Sequence, residues 1–279
     1  MNYKKGFKIK PKEITATGEV LFTDGANDNL RANQKTCEAY GYRYNSEDGI
    51  CVLSASSVKL NRTFKNIDNN TKGGTIESGT ANTTLLGTAN KTKGQNNNGF
   101  VTGEEHELAN GLDNTSIVGG KKAKALRQGE VVVGGGGGYT STQGAVQTSS
   151  VQVSGTTTDA TATNLTTQDD GTNIIEMQGG SVTIFECYLT GLVVVGSGSV
   201  NAGDHKSIKI TGSVVTTGAL ALTITQSQTT ISSTVAGISA TLVQSNNQLA
   251  VQVTGLASVT IYWTCTVNMH ENVISGKYF

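Results

Sequence analysis

Four short apolar runs between Thr84 and Gly134 each close on a glycine: Leu85-Leu86-Gly87, Phe100-Val101-Thr102-Gly103, Ile117-Val118-Gly119 and Val132-Val133-Gly134. The closing residues Gly87, Gly103, Gly119 and Gly134 stand 16, 16 and 15 residues apart, with Gly94, Gly111 and Gly129 between them. A fixed period this short, with one brief apolar run per repeat and Ala, Lys, Asn and Thr in the intervals, permits few folds. It fits a stacked β-coil, in which each repeat lays a short strand on the strand below it. Glycine takes the tight turns, where a Cβ would clash. One coil buries too little to stand alone, so the repeat predicts a stack and an assembly of several chains around it.

Composition suits a narrow core better than a spherical one. The chain has 35 glycines and one proline in 279 residues, with 5% aromatic and 36% hydrophobic residues. An ordinary domain is roughly 45–50% apolar by a count that includes glycine. Formal charge is zero, from 21 basic and 21 acidic side chains, so the chain as a whole is no polyanion binder and no nucleic-acid partner is expected. Lys121, Lys122, Lys124 and Arg127 form a locally basic stretch, read here as solvated outer positions of a coil. No apolar stretch reaches the ~18 residues of a membrane span, so no membrane insertion is expected. No apolar segment follows the basic start Met1 to Phe7, so it does not read as a secretory signal.

The chain divides into four segments. Residues 1–60 form a mixed N-terminal segment: Asn27-Asp28-Asn29 caps a short helix from about Leu30 to Tyr40, with Gly41 as its stop. Tyr42 to Tyr44 and Ile50 to Leu53 then make a hairpin around a turn ending Asp48-Gly49. Residues 61–134 are the repeat region, loosely begun at Thr75-Ile76-Glu77-Ser78-Gly79. The five glycines from Gly134 to Gly138 open a connection at 135–144 that is either a hinge or a tight crossover. From 145 to 279 the pattern turns to period-two strands separated by Gly, Asn and Ser, which predicts an antiparallel β-sandwich of jelly-roll type. That segment is large enough to bury its own core and is expected to fold without the rest. Trp263 lies in phase with Ile261 and Val267 and is expected inside it.

Residues that carry chemistry are sparse. His106, His205 and His270 stand far apart without neighbours at metal-ligand spacing; each reads as a surface residue. In a trimer, His106 would be the one to meet its two copies on an axis and hold an ion. Glu104-Glu105 and Asp169-Asp170 are adjacent pairs, and neighbours on a strand face opposite sides, so neither makes a general acid/base pair. The glycine run lacks the Lys-Ser/Thr that completes a phosphate loop. No catalytic residue, metal site or cofactor is expected. Cys37 and Cys51 bracket the tyrosine segment and could meet if the helix folds back on the hairpin; the sequence leaves the bond open. Cys187 and Cys265 sit in phase with apolar strand positions and read as buried fillers. Tyr40, Tyr42 and Tyr44 recur at period two, either as a packed face or as a docking surface.

Two resemblances follow from these residues. Ser116-Ile117-Val118-Gly119 through Gly129-Glu130-Val131-Val132-Val133-Gly134 resembles the head repeat of trimeric autotransporter adhesins. In that family three chains wind β-rolls around a common axis, although the export signal and membrane barrel of the family are missing from this pattern. Gly155 to Thr166, Ile184-Phe185, Lys209-Ile210-Thr211-Gly212, Val253-Thr254-Gly255 and Ile261-Tyr262-Trp263-Thr264 resemble a domain at the ends of phage and prophage fibre proteins. The segment Cys37 to Cys51 looks like a small motif of phage structural proteins.

Together they imply a mainly β homotrimeric fibre on the virion surface, made in the host cytoplasm. Its N-terminal segment would dock on a capsid or tail protein, the coil would act as shaft, and the C-terminal sandwich would meet a host-surface glycan. The readings kept beside it are a non-viral adhesin and a decoration protein that only clamps the trimer. No enzyme is implied.

Overall fold

The computed structural model describes residues 3–15, 18–46, 48–52, 68–77, 79–138, 142–168 and 171–274. The chain falls into two units, Met1–Asn66 and Ile67–Phe279.

In the first unit β1 (Lys10–Ile14) pairs antiparallel with β2 (Val20–Thr23), and β3 (Arg43–Asn45) with β4 (Ile50–Val52). Between the hairpins lies α1, Gln34–Ala39, shorter than the sequence predicts. The backbone of Leu30 is already spent on a bridge to Phe22, at 2.8 and 2.9 Å, so the helix starts only at Asn33. The side chain of Asn33 accepts from the Thr36 N–H at 2.9 Å. Gly41, at φ +83°, ends the helix as expected. Cys37 and Cys51 are bonded to each other and buried with Val20, Phe22 and Ala32. Tyr40 and Tyr42 set their rings edge-on to Phe22 at 5.8 and 6.5 Å, so the tyrosines pack within this unit. Leu53 lies outside the described residues.

The second unit opens with the coil stack. Its first face is parallel, from β5 (Asp68–Lys72) through β7 (Thr84–Thr88), β10 (Phe100–Glu104) and β13 (Ser116–Lys121) to β15 (Val131–Gly135). The second face is β6 (Thr75–Ile76), β8 (Lys91–Thr92), β11 (Glu107–Leu108) and β14 (Lys124–Ala125), and the third is β9 (Asn96–Asn97) and β12 (Leu112–Asp113). This is a β-solenoid whose first described coil begins at Asp68. Thr75-Ile76 belongs to its second face and not to the first. Leu85, Val101, Ile117 and Val132 stack in register as the apolar spine, all fully buried.

Polar side chains hold one coil to the next. Asn90 accepts from the His106 N–H at 2.9 Å, and His106 Nδ1 accepts from the Ala123 N–H at 2.9 Å. The corners recur as well. Ala89, Glu105 and Lys122 are left-handed at φ 56°, 57° and 56°, and Asn82, Asn98 and Asn114 at 47°, 55° and 54°. Asparagine tolerates that conformation better than most residues.

Glycines form a column at the end of the first face, and a bulge shifts its membership. Gly103 pairs with Gly87, but Gly134 pairs with Gly120, after a register shift in β13. A Cβ on Gly87 would lie 2.1 Å from the Gly103 carbonyl oxygen, and one on Gly120 2.0 Å from that of Gly134. Gly119, at φ +140°, has open space there. The column therefore contains Gly120 where the repeat count placed Gly119, because the bulge absorbs one residue.

The connection at 135–144 turns the chain back. β16 (Val146–Thr157) pairs antiparallel with β15, Val131 opposite Ser150 through Gly134 opposite Gln147. The sheet then continues from β16 through β24 (Thr260–Val273), β19 (Ser181–Val195), β20 (His205–Thr216) and β21 (Leu222–Ser233). The short β18 (Thr166–Thr167) pairs with the far half of β16. A separate three-stranded sheet, β17 (Ala162–Asn164), β23 (Gln248–Thr254) and β22 (Ser239–Ser245), contributes Leu242, Leu249, Val251 and Val253 to a core shared with the long sheet. Consecutive strands β19, β20 and β21 lie side by side, and this order does not show the jelly-roll alternation expected from sequence. Trp263 is buried and donates to Thr157 Oγ1 at 2.9 Å. Gly191, opposite it in register, leaves room for the indole: a Cβ there would lie 2.6 Å from the ring.

The column yields a prediction. Gly120→Ala meets both a left-handed φ and a backbone oxygen, whereas Gly119→Ala meets only the unfavourable φ, a strain of about 1–3 kcal/mol. Denaturant unfolding of the two variants is expected to place Gly120→Ala clearly below Gly119→Ala. The reverse order would mean that the bulge sits elsewhere.

Candidate functional site

Where the parallel coils give way to antiparallel strands, a charged cluster is sealed inside the unit. Arg127 is fully buried, in contrast to the solvated outer position read from the sequence. Its Nε donates to the Glu176 carbonyl at 2.6 Å, its Nη2 to Glu271 Oε1 at 2.6 Å, and its Nη1 to Glu130 and, at 3.2 Å, to Ser149 Oγ. Glu271 also accepts from Gln147 Nε2 at 2.7 Å, and Gln147 in turn bonds the Lys124 N–H and C=O at 2.9 and 3.0 Å. Glu130 accepts from the N–H groups of Leu126 and Arg127 at 2.9 and 3.1 Å. One guanidinium thus ties the last coil to β16 and β24.

Two buried carboxylates share that single cation, and their environments part them. Burial pushes the Glu130 carboxyl above its ordinary value, only partly offset by Arg127. Burial acts the same way on Glu271, but Arg127 and the bonds from Gln147 and Ser149 outweigh it and hold that carboxyl below the usual range. Burial would lower Arg127, and the two carboxylates instead raise it.

The other basic residues are matched one coil down. Lys121 reaches Glu104 at 3.0 Å and Glu105 at 3.4 Å, Lys122 reaches Glu105 at 3.4 Å, and Lys124 reaches Glu107 at 3.3 Å. These ladder pairs, from exposed at Lys121 to half-buried at Lys122 and Lys124, neutralise the basic stretch and account for Glu104-Glu105.

His106 is buried inside its own coil, and burial lowers its pKa below the usual histidine range; an imidazole enclosed there is not presented on any outer axis. His270 is exposed, 3.3 Å from Thr148 Oγ1, and His205 is partly exposed. Asp169 and Asp170 lie outside the described residues. Cys187 and Cys265 are free and buried in the core. Among the described residues no group of three His, Cys, Asp or Glu side chains gathers in a metal-ligand arrangement, and no helix is long and apolar enough to cross a membrane.

The outer face of the continuous sheet is a surface that the sequence did not single out. Val133, Thr148, His270 and Ile184 are cross-strand neighbours on β15, β16, β24 and β19. Val133 is 45% and Ile184 60% exposed, with Val131, Val118 and Val182 close to the same row at 44%, 47% and 42%. The row crosses from coil to antiparallel strands and sets these exposed apolar side chains around Thr148 and His270. Alternation alone could have revealed it: the outward positions of β15 and the start of β19 are Val and Ile where a solvated face would carry polar residues.

No protein-family model matches the sequence, and no curated protein matches it. Solved structures that resemble the chain include two phage tailspikes. The tailspike protein of Acinetobacter baumannii phage AM24 is 9% identical with a TM-score of 0.27, over 73% of this chain and 50% of its own. The tailspike of Acinetobacter phage vB_ApiP_P1 is 11% identical with a TM-score of 0.22, over 70% of this chain and 45% of its own. The chain thus spans about half the length of the tailspikes it matches.

The charged joint makes its own prediction. Arg127→Met leaves Glu130 and Glu271 buried without a cation, a loss of about 3–5 kcal/mol at neutral pH. Both carboxyls then sit above their unfolded values, so the variant is most stable below the ordinary carboxylate pKa and loses that stability as pH rises. In denaturant unfolding at pH 5 and pH 7, the deficit against the parent is expected to shrink on acidification. A deficit equal at both pH values would rule out the charge account.

Proposed function

We propose that this chain is a structural fibre protein of a bacteriophage virion, working as a homotrimer. The N-terminal disulfide-bonded unit anchors it to a capsid or tail protein, the solenoid is a stiff spacer, and the antiparallel strands face the host surface, where a glycan is the partner class. The reading assigns no catalysis to the chain.

The observation that carries this reading is the exposed apolar row. A solenoid that shares one sheet with the antiparallel strands has a continuous outer face, and on it Val118, Val131, Val133, Val182 and Ile184 stand in water. Copies of the chain set against one another along that row remove this apolar surface from solvent, which is the driving force of association. The phage-fibre resemblance of residues 155–264 supports the same assignment.

Assembly and attachment are tested together. Multi-angle light scattering of the full chain is expected to give three times the chain mass, and Ile184→Lys, which places a charge on the most exposed apolar member of the row, is expected to release monomer. A monomer for the parent chain would end the fibre reading, and an unchanged trimer for Ile184→Lys would remove this row from the interface. Immuno-electron microscopy of intact virions is expected to find the chain on the particle surface.

A further inference from the structure

We infer that a groove at the joint between coil and antiparallel strands is a subsite for a neutral saccharide; the inference rests on the host-attachment reading and gives it a place. β16 is paired with β15 through residues 147–150 and with β18 at Val153 and Ser154. Between those two partners, at Gln152, one edge of β16 is left open among the described residues. A groove of about 720 Å³ lies there, within the roughly 300–1,000 Å³ typical of small-molecule sites. Its polar walls are Asn114 from the coil with Gln168, which follows β18, bonded to it, and Gln152, Ser154, Thr264 and Thr266 from the outer face of β16 and β24.

The lining selects the ligand class. Among the described residues no lysine, arginine, histidine, aspartate or glutamate lines the groove, so the described lining offers neither an anion nor a metal ion a counter-charge. Amides and hydroxyls each both donate and accept, which matches the paired donor and acceptor character of sugar hydroxyls. One wall is already set. Asn114 Nδ2 donates to Gln168 Oε1 at 2.9 Å, and Gln168 Nε2 donates to the Asp113 carbonyl at 3.0 Å. Gly129 lines the same wall, where a Cβ would come to 3.1 Å of Gln168 Nε2. Opposite it, Gln152, Ser154, Thr264 and Thr266 make no side-chain hydrogen bond to other described residues, so their polar atoms face the groove unspent.

The loops at 196–203 and 245–248 of the antiparallel part are closed on themselves. Asn246 and Asn247, at φ 48° and 61°, form the two-residue turn between β22 and β23, and Gln244 Nε2 bonds Asn247 at 3.2 Å. In the 196–203 loop the Val200 N–H bonds the Ser197 carbonyl at 3.2 Å. The groove also stands clear of the apolar row: Thr148 and Gln152 are four residues apart on β16, about 13 Å along an extended strand.

The test is an array of neutral and of sulfated or sialylated oligosaccharides probed with the full chain, followed by titration calorimetry on whichever neutral sugar binds. Gln152→Leu and Thr264→Val change exposed side chains without protein partners among the described residues, and an unchanged melting temperature checks their folding. A neutral oligosaccharide is expected to bind, with affinity falling about tenfold or more in either variant and unchanged in Ser199→Ala on the 196–203 loop. Binding confined to anionic sugars, binding to none, or affinity lost in Ser199→Ala but kept in Gln152→Leu would overturn the assignment. A trimer that binds no sugar removes this subsite and leaves the fibre reading standing. A monomer that binds a neutral sugar through Gln152 does the reverse.

Discussion

A stack of parallel coils has an open end where its core meets water, and here that end is closed by a buried guanidinium. Arg127 leaves the last coil and bonds Glu271 on β24, the Glu176 carbonyl and Glu130 beside it. Solenoids need a terminal element different from their repeats, and in this chain the cap is a whole antiparallel sheet. The ion cluster fixes its register: Glu271 lies opposite Gln147, and Gln147 bonds both backbone groups of Lys124 in the coil. Buried ion pairs add little net stability over an apolar replacement, but breaking one is costly. The cluster therefore specifies one docking of cap on coil more than it strengthens it.

Through that joint the coil and the antiparallel strands become a single body. The strand order β15, β16, β24, β19 shares hydrogen bonds across the boundary, so a fragment cut at residue 145 would expose one edge of β16 and leave Glu271 without Arg127. The five-glycine run reads as a hinge or a tight crossover; in the fold its first members finish β15 and the chain then doubles back to pair with it. A rigid joint also holds the apolar row and the polar groove in fixed relation on one outer face.

Much of the architecture was legible in the order of the residues. The period-16 spacing led to the coils, because one backbone turn of fixed length must return each apolar residue above the last; Leu85, Val101 and Ile117 do so in register. Period-two alternation placed Trp263, Cys187 and Cys265 inside, since side chains on a strand point alternately to its two faces. Local chemistry put Gly41 at the end of the helix. The start of that helix was misjudged because a bridge from Leu30 to Phe22 outcompeted a local cap, and such a bridge depends on residues distant in the chain.

What only the tertiary structure decided are the features that require two distant segments to meet. Counting repeats assigned the column to Gly119, but a bulge in β13 hands the place to Gly120, and the extra residue of a bulge shows only against the strand it is paired with. Arg127 sat in a basic stretch of sequence, and its burial depends on Glu271, a residue 144 positions away. His106 carried no sign of burial in its neighbours, yet its backbone N–H donates to Asn90 one coil below and its ring accepts from the Ala123 N–H one coil above. The groove has walls from the coil, from β16 and from β24, and no segment holds more than a fraction of it. Sequence determined the repeat, the strand phases and the residues available; packing decided which of them face each other, because contact between distant segments is set by the register of the whole sheet.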